Sequence, residues 1–245
     1  MSNSLGVSLI GLDRYSRDDL ETISNSGIAR LSLTPTNLFP LHAEYPDANQ
    51  LRVEARRLES FGLQVETFQG IFFGLSGQLS KSHVRRLEWI AEACKFLNCH
   101  TVTLGSKESR KDLKNWDAML DTSIRLLQPS VVVSLENICL DDCNPDSKHA
   151  WSGIGRPDLN SVTLDYSNAL ECHYKQPCDY WAEPGVNVVH LAGRGHGKLS
   201  DFADVSQFVD AKPNSSEVKF ITEFTQLDVK ERVDQTLFLQ EMLWG

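Results

Sequence analysis

Eight short β-branched, apolar runs alternate with segments of helical periodicity from one end of this chain to the other. The runs are Val7–Leu12, Ala29–Leu33, Leu63–Phe68, Thr101–Leu104, Val131–Leu135, Val162–Leu164, Val186–Val189 and Lys219–Ile221. Between them, Arg17–Ser26, Ala48–Ser60, Ser82–Leu97, Trp116–Leu127 and Val229–Leu243 read as helices. In Ser82–Leu97, for example, Val84, Leu87, Ile90, Ala91, Cys94 and Leu97 fall at helical spacing. Gly62, just past Ala48–Ser60, is a natural helix stop. Such alternation builds parallel strands connected by helices. Eight repeats without a composition break predict one (β/α)8 TIM barrel over residues 1–245, close to the ~250 residues that architecture uses. An open doubly wound sheet competes, but no glycine-rich nucleotide fingerprint follows the first run.

Four residues stand at or just past the C-terminal ends of consecutive runs: Glu136, Asp165, His190 and Glu223. Their intervals of about 25 to 33 residues match one strand-plus-helix repeat each. In a parallel barrel these ends converge on one mouth, where active sites are built. A lone carboxylate at a strand end is usually a helix cap or a solvated loop residue. Four in phase predict a divalent-metal site. Three carboxylates and one imidazole suit Mn²⁺, Mg²⁺ or Co²⁺ better than a thiolate zinc knuckle. A bound cation would complete its shell with a hydroxy-carbonyl substrate and polarise the carbonyl. A neighbouring carboxylate could then serve as base.

The remaining numbers narrow the partners. With 24 basic and 33 acidic residues the net charge is −9, and no lysine- or arginine-rich run interrupts it. That balance disfavours a phosphodiester backbone as partner. No apolar run approaches the ~20 residues of a membrane-spanning helix. The opening MSNSLGVSLIGLDRYSR has no secretory-signal pattern. Six cysteines without zinc-knuckle spacing read as reduced thiols, so a cytoplasmic location is expected.

The segments SLEN (Ser134–Asn137), TLDYSN (Thr163–Asn168), VVHLAGRGHGKLSDF (Val188–Phe202) and ITEF (Ile221–Phe224) resemble the xylose isomerase-like barrel superfamily. Within it they look like the sugar phosphate isomerase/epimerase branch. The resemblance implies that Glu136, Asp165, His190 and Glu223 hold one divalent cation, Mn²⁺ first and Mg²⁺, Co²⁺ or Zn²⁺ otherwise. It also implies that Glu136 and Glu223 move a substrate proton through an enediolate. The expected partner is a small carbohydrate-like molecule, with homo-oligomers common among relatives. Three positions depart from the family. Asn168 stands where many relatives have histidine, and Leu191-Ala192-Gly193 replaces a polar pair. Arg194 is the candidate for an arginine that ketose epimerases place past the strand-seven histidine.

Around this mouth, the glycine-rich Gly193–Lys198 loop reads either as a cationic clamp, with Arg194 and Lys198 as donors to a polar substrate, or as a turn that needs positive φ. His196 reads as a hydrogen-bonding loop residue rather than a ligand. Gln69 and Phe72 follow the third run, the latter as an apolar wall or a rim packer. Trp151 and Trp181 read as stacking residues or loop anchors. The region 138–160 reads as a long active-site loop. Three function classes compete. An isomerase or epimerase leads, and a dehydratase using the same carboxylates is its nearest rival. A non-catalytic barrel is the third. An apurinic-site endonuclease fits poorly, because Gln69, Ser106 and Asn168 stand where that family carries extra histidines.

Overall fold

The computed structural model describes residues 5–39, 45–72, 81–106, 121–128, 130–137, 161–171, 176–182, 185–200, 202–213 and 217–245, without the side chains of 71, 72 and 106. Eight strands close a parallel barrel in chain order. They are β1 (Gly6–Ser8), β2 (Arg30–Leu33), β3 (Gln64–Phe72), β4 (Thr101–Ser106), β5 (Val132–Glu136), β6 (Val162–Asp165), β7 (Val186–Leu191) and β8 (Lys219–Thr222). The seam is made by β1 against β8, Gly6 opposite Ile221 and Val7 opposite Thr222. Helices Arg17–Asn25, Ala48–Ser60, Lys81–Phe96, Phe202–Asp210 and Val229–Trp244 pack outside, and backbone at 121–127 is also helical.

Local chemistry explains the boundaries. Ser16, Asp47 and Asp228 each cap a helix reciprocally with Asp19, Gln50 and Glu231. Gly62, at φ +69°, ends the Ala48–Ser60 helix as its spacing predicts, with Leu63 N–H returning to Leu58 O at 3.0 Å. Several strands end one or two residues later than expected, and two ends differ by more. β1 stops at Ser8 instead of Leu12, because Ser8 Oγ accepts from Ile10 N–H at 3.2 Å and Gly11 turns at φ +82°. β3 runs on to Phe72, paired with β4 as far as Ser106. Gln69 therefore lies inside a strand rather than after it. Gly70 permits this: a Cβ there would crowd Leu104 Cδ2 at 3.1 Å. Trp151, the 138–160 loop and the start of the predicted 116–127 helix lie outside the described residues.

Alternation along the strands sorts two environments. Val7, Leu31, Leu33, Val102, Leu104, Val133 and Leu135 face the helices in one buried cluster. Leu164, Val189, Leu191 and Phe220 do so in a second. Each fully buried Leu or Val contributes about 1.5–3 kcal/mol relative to exposure. The inward positions carry hydroxyls instead. Thr67 Oγ1 donates to Ser32 Oγ at 2.7 Å, and Thr163 Oγ1 lies 2.7 Å from Ser134 Oγ and 3.0 Å from Thr103 Oγ1. The last pair joins β4 to β6 across the barrel, the alternate-strand layering such interiors use. At the N-terminal end, Lys219 reaches Glu66 at 2.8 Å, with Arg30 at 3.7 Å from the same carboxylate.

Arg232 is fully buried in the last helix and hydrogen-bonds only main-chain carbonyls among the described residues. Its guanidinium donates to Ser8 O, Ile10 O and Leu227 O, each at 2.8 Å, and to Thr225 O at 3.4 Å. Burial pulls its pKa down to about 10 against the attraction of Glu223 and Asp228, which leaves it charged at neutral pH. It thus ties the loops after β1 and β8 together beside the seam.

Tyr15 gives the fold an alkaline sensitivity. Burial, then the charge of Glu54 and a 2.7 Å hydrogen bond to its carboxylate, push the phenol above its usual value, against Arg57 and Arg14. The folded chain then holds this proton more tightly than the unfolded chain, whose phenol titrates near 10. The associated stability is full below pH ~10 and declines as pH rises further. Tyr15→Phe is expected to cost about 1 kcal/mol at neutral pH and to flatten the alkaline decline. Urea melts at pH 8 to 11 check this, and parallel curves for the two proteins would refute it.

Candidate metal centre

Four strand ends supply the centre. Glu136 closes β5, Asp165 closes β6, His190 is the penultimate residue of β7, and Glu223 follows β8 directly. Asp165 and His190 are register partners, and Glu223 N–H donates to Leu191 O at 3.0 Å, which fixes their relative height. All four side chains are buried, the most exposed being Glu136 at 8%. Donor atoms of Glu136, Asp165 and His190 lie within 4.8 Å of one another, and so do those of Asp165, His196 and Glu223. The structure brings the four predicted residues together and adds His196.

A polar frame orients these groups. Gln69 donates to Glu223 Oε2 at 2.6 Å and sits 3.4 Å from His190 Nε2. Asn168 places its backbone N–H on Asp165 Oδ1 at 2.8 Å, and its side-chain amide on Asn137 O at 2.8 Å and Glu136 Oε1 at 3.5 Å. Its amide therefore steadies Glu136. Asn137 bridges β5 to β6 as a side-chain continuation of the ladder, accepting from Asp165 N–H and donating to Asp165 O at 3.0 Å. Sequence reading gave Asn137 no role. Its signal is an amide placed directly after a strand-end carboxylate.

The electrostatics suit a cation. Burial alone would raise the Asp165 carboxyl, but a hydrogen bond from His196 at 2.9 Å and the charge of His196 and His190 together hold it below the ordinary carboxylate range. Among the described residues His190 Nδ1 is buried without a well-oriented hydrogen-bond partner, although Glu223 Oε2 lies 2.8 Å away. A ring nitrogen left unpaired among carboxylate oxygens is costly unless an ion completes it. Oxygen donors plus imidazole fit a divalent cation, which Glu136, Asp165, His190 and Glu223 would hold.

The other predicted site residues separate. His196 and Asn168 line a cavity of about 790 Å³ over the centre, together with Gln69, Glu136 and Glu223. Lys198 does not point there: it is exposed and pairs with Glu231 at 3.1 Å in the last helix's first turn. Arg194 is exposed at the start of the short turn Arg194–His196, and His196 from that turn enters the cluster in its place. Trp181 is a loop anchor, donating to Phe208 O at 2.7 Å and stacking on that ring. Phe72 belongs to β3, and its side chain is outside the described residues. Arg86, from the Lys81–Phe96 helix, also lines the cavity. Sequence reading passed over it because a helical arginine usually faces solvent.

The frame yields a direct expectation. Asn137→Ala removes the clamp on the Asp165 backbone, so divalent-cation affinity should fall about tenfold to a hundredfold and stability by about 1–3 kcal/mol. Calorimetric titration with Mn²⁺ and a urea melt measure both, and unchanged affinity would refute the orienting role.

No family model matches the chain, and no curated protein matches its sequence. Solved structures do match. A putative xylose isomerase from Rhodospirillum rubrum superposes with a TM-score of 0.72 at 13% identity, covering 99% of this chain and 98% of that one. The probable 3-DHS dehydratase AsbF of petrobactin synthesis from Bacillus anthracis gives 0.70 at 14% identity, over 96% and 98%. The IOLI protein with a bound zinc atom gives 0.68 at 13% identity, over 98% of each chain. At such identities the likeness establishes the fold alone: this chain is a closed (β/α)8 barrel.

Proposed function

We propose that the protein is a divalent-metal-dependent isomerase or epimerase of a small, keto-sugar-like hydroxy-carbonyl compound. The observation that carries this reading is the pair Glu136 and Glu223, both in the cation cluster and both lining the same cavity. A bound cation would supply Lewis acidity to the substrate's carbonyl and hydroxyl oxygens. One glutamate takes the proton from the carbon beside the carbonyl, leaving an enediolate. The other delivers a proton to the same or the neighbouring carbon, so epimerisation or isomerisation results without net redox change. Gln69 holds Glu223 and Asn168 holds Glu136, which limits the rotation that would misdirect either transfer.

A dehydratase reading uses the same base and expels a β-hydroxyl instead of returning a proton. The fold likeness to the 3-DHS dehydratase and the Arg86 cation in the cavity, able to meet a substrate carboxylate, support it. Incubating the Mn²⁺-loaded protein with ketoses and β-hydroxy ketones in D₂O, followed by proton NMR, separates the two. Deuterium at the carbon with water retained supports isomerisation, and an alkene product supports dehydration. Neither exchange nor any new product with any of these substrates overturns both.

A further inference from the structure

We infer that His196 is a fifth protein ligand to the cation, giving the centre two imidazoles and a preference for borderline transition ions over Mg²⁺. This deepens the metal-centre reading and rests on it. Ligands on bonds of 2.0–2.2 Å lie about 3 Å apart when cis to one another. His196 Nε2 is 2.9 Å from Asp165 Oδ2 and 3.7 Å from Glu223 Oε1, and His190 Nδ1 is 2.8 Å from Glu223 Oε2. Both imidazoles therefore stand at ligand-to-ligand spacing from carboxylates of the cluster. The Nδ1 of His190, buried beside the other oxygen of the same Glu223 carboxylate and unsatisfied among the described residues, is the independent mark of an ion there.

The backbone is shaped to deliver this ring. His196 has φ +56°, a left-handed conformation that a residue with a Cβ seldom adopts. Two contacts hold it: His196 N–H donates to Ser167 Oγ, and Thr225 N–H donates to His196 O, each at 3.1 Å. Gly195 is pinned as well, its N–H on Glu171 Oε1 and its carbonyl on the Gln226 amide, again at 3.1 Å. Gly193 packs so closely on the Lys198 carbonyl that a Cβ has no room. Of the two readings the glycines allow, clamp and positive-φ turn, the backbone forms the turn, and the turn aims one histidine. Two directional nitrogens favour ions such as Co²⁺ or Zn²⁺, whereas Mg²⁺ seeks an all-oxygen shell.

The test compares wild type with His196→Gly, a change that relieves the positive φ, and with His196→Asn, which also tolerates it. Circular dichroism melts verify folding. Titrations with Co²⁺ and with Mg²⁺, together with the Co²⁺ visible spectrum, are the readouts. Wild type should prefer Co²⁺ over Mg²⁺ by at least about a hundredfold. The variants should lose about tenfold to a hundredfold in Co²⁺ affinity while Mg²⁺ affinity stays within about threefold. The Co²⁺ bands should shift, and added imidazole should restore them in His196→Gly. Equal losses for both ions, or an unchanged spectrum, overturn the inference and leave the four-ligand centre standing. If wild type binds neither ion, the metal-centre reading fails with it.

Discussion

Glu223→Gln is expected to lower kcat by about a hundredfold to ten-thousandfold at saturating cation, with the barrel intact. The change is isosteric, and Gln69, whose amide donates to Glu223 Oε2 at 2.6 Å, can still donate to the new amide oxygen. Packing at this 3%-exposed position is thus preserved. What disappears is the negative charge and the capacity to accept a proton. Cation affinity will also fall, because one of three clustered carboxylates becomes neutral. Turnover must therefore be measured across a cation titration and extrapolated to saturation. Glu136→Gln should behave alike, since its carboxylate lines the same cavity. Either variant retaining kcat within about threefold at saturation would remove that residue from proton transfer.

Arg232→Met should be the most damaging single change to the fold described above. Methionine restores much of the volume but leaves the carbonyls of Ser8, Ile10 and Leu227 without their charged donor. Hydrogen bonds to a charged group are worth about 1.5–3 kcal/mol each, and several are lost together. A loss of about 3–5 kcal/mol is expected, a large share of a typical domain's 5–15 kcal/mol. Arg232→Lys should recover only part, because one ammonium cannot match the guanidinium's directions. Urea denaturation measures both. A loss under about 1 kcal/mol for Arg232→Met would mean that water satisfies those carbonyls.

The strand-end residues were legible because a parallel barrel converts sequence period into spatial convergence. Glu136, Asp165, His190 and Glu223 stand at or beside the C-terminal ends of neighbouring strands, so spacing alone collects them. Features set by backbone angles were less legible. β3 was cut short because Gln69 and Gly70 are poor strand formers, and only the close approach of Leu104 explains the glycine. β1 was drawn too long because its apolar residues continue through a turn that Gly11 creates. His196 reads from sequence as an ordinary loop residue because the glycines announce a turn but not that the positive φ falls on the histidine and aims it inward. Arg194 was favoured by charge and chain position, yet the turn carries it to the surface. Arg86 went unnoticed because its relation to the mouth is tertiary.

The hydroxyl-lined inner wall has a consequence for how such a protein can change over generations. Ser32, Thr67, Thr103, Ser134 and Thr163 meet one another inside, while the leucines and valines that sustain the fold face outward to the helices. Adaptation and robustness are thereby assigned to opposite sides of the same strands. Drift can rewrite the inner wall toward a new substrate without eroding the apolar layer, and the outer layer can be repaired without disturbing the chemistry.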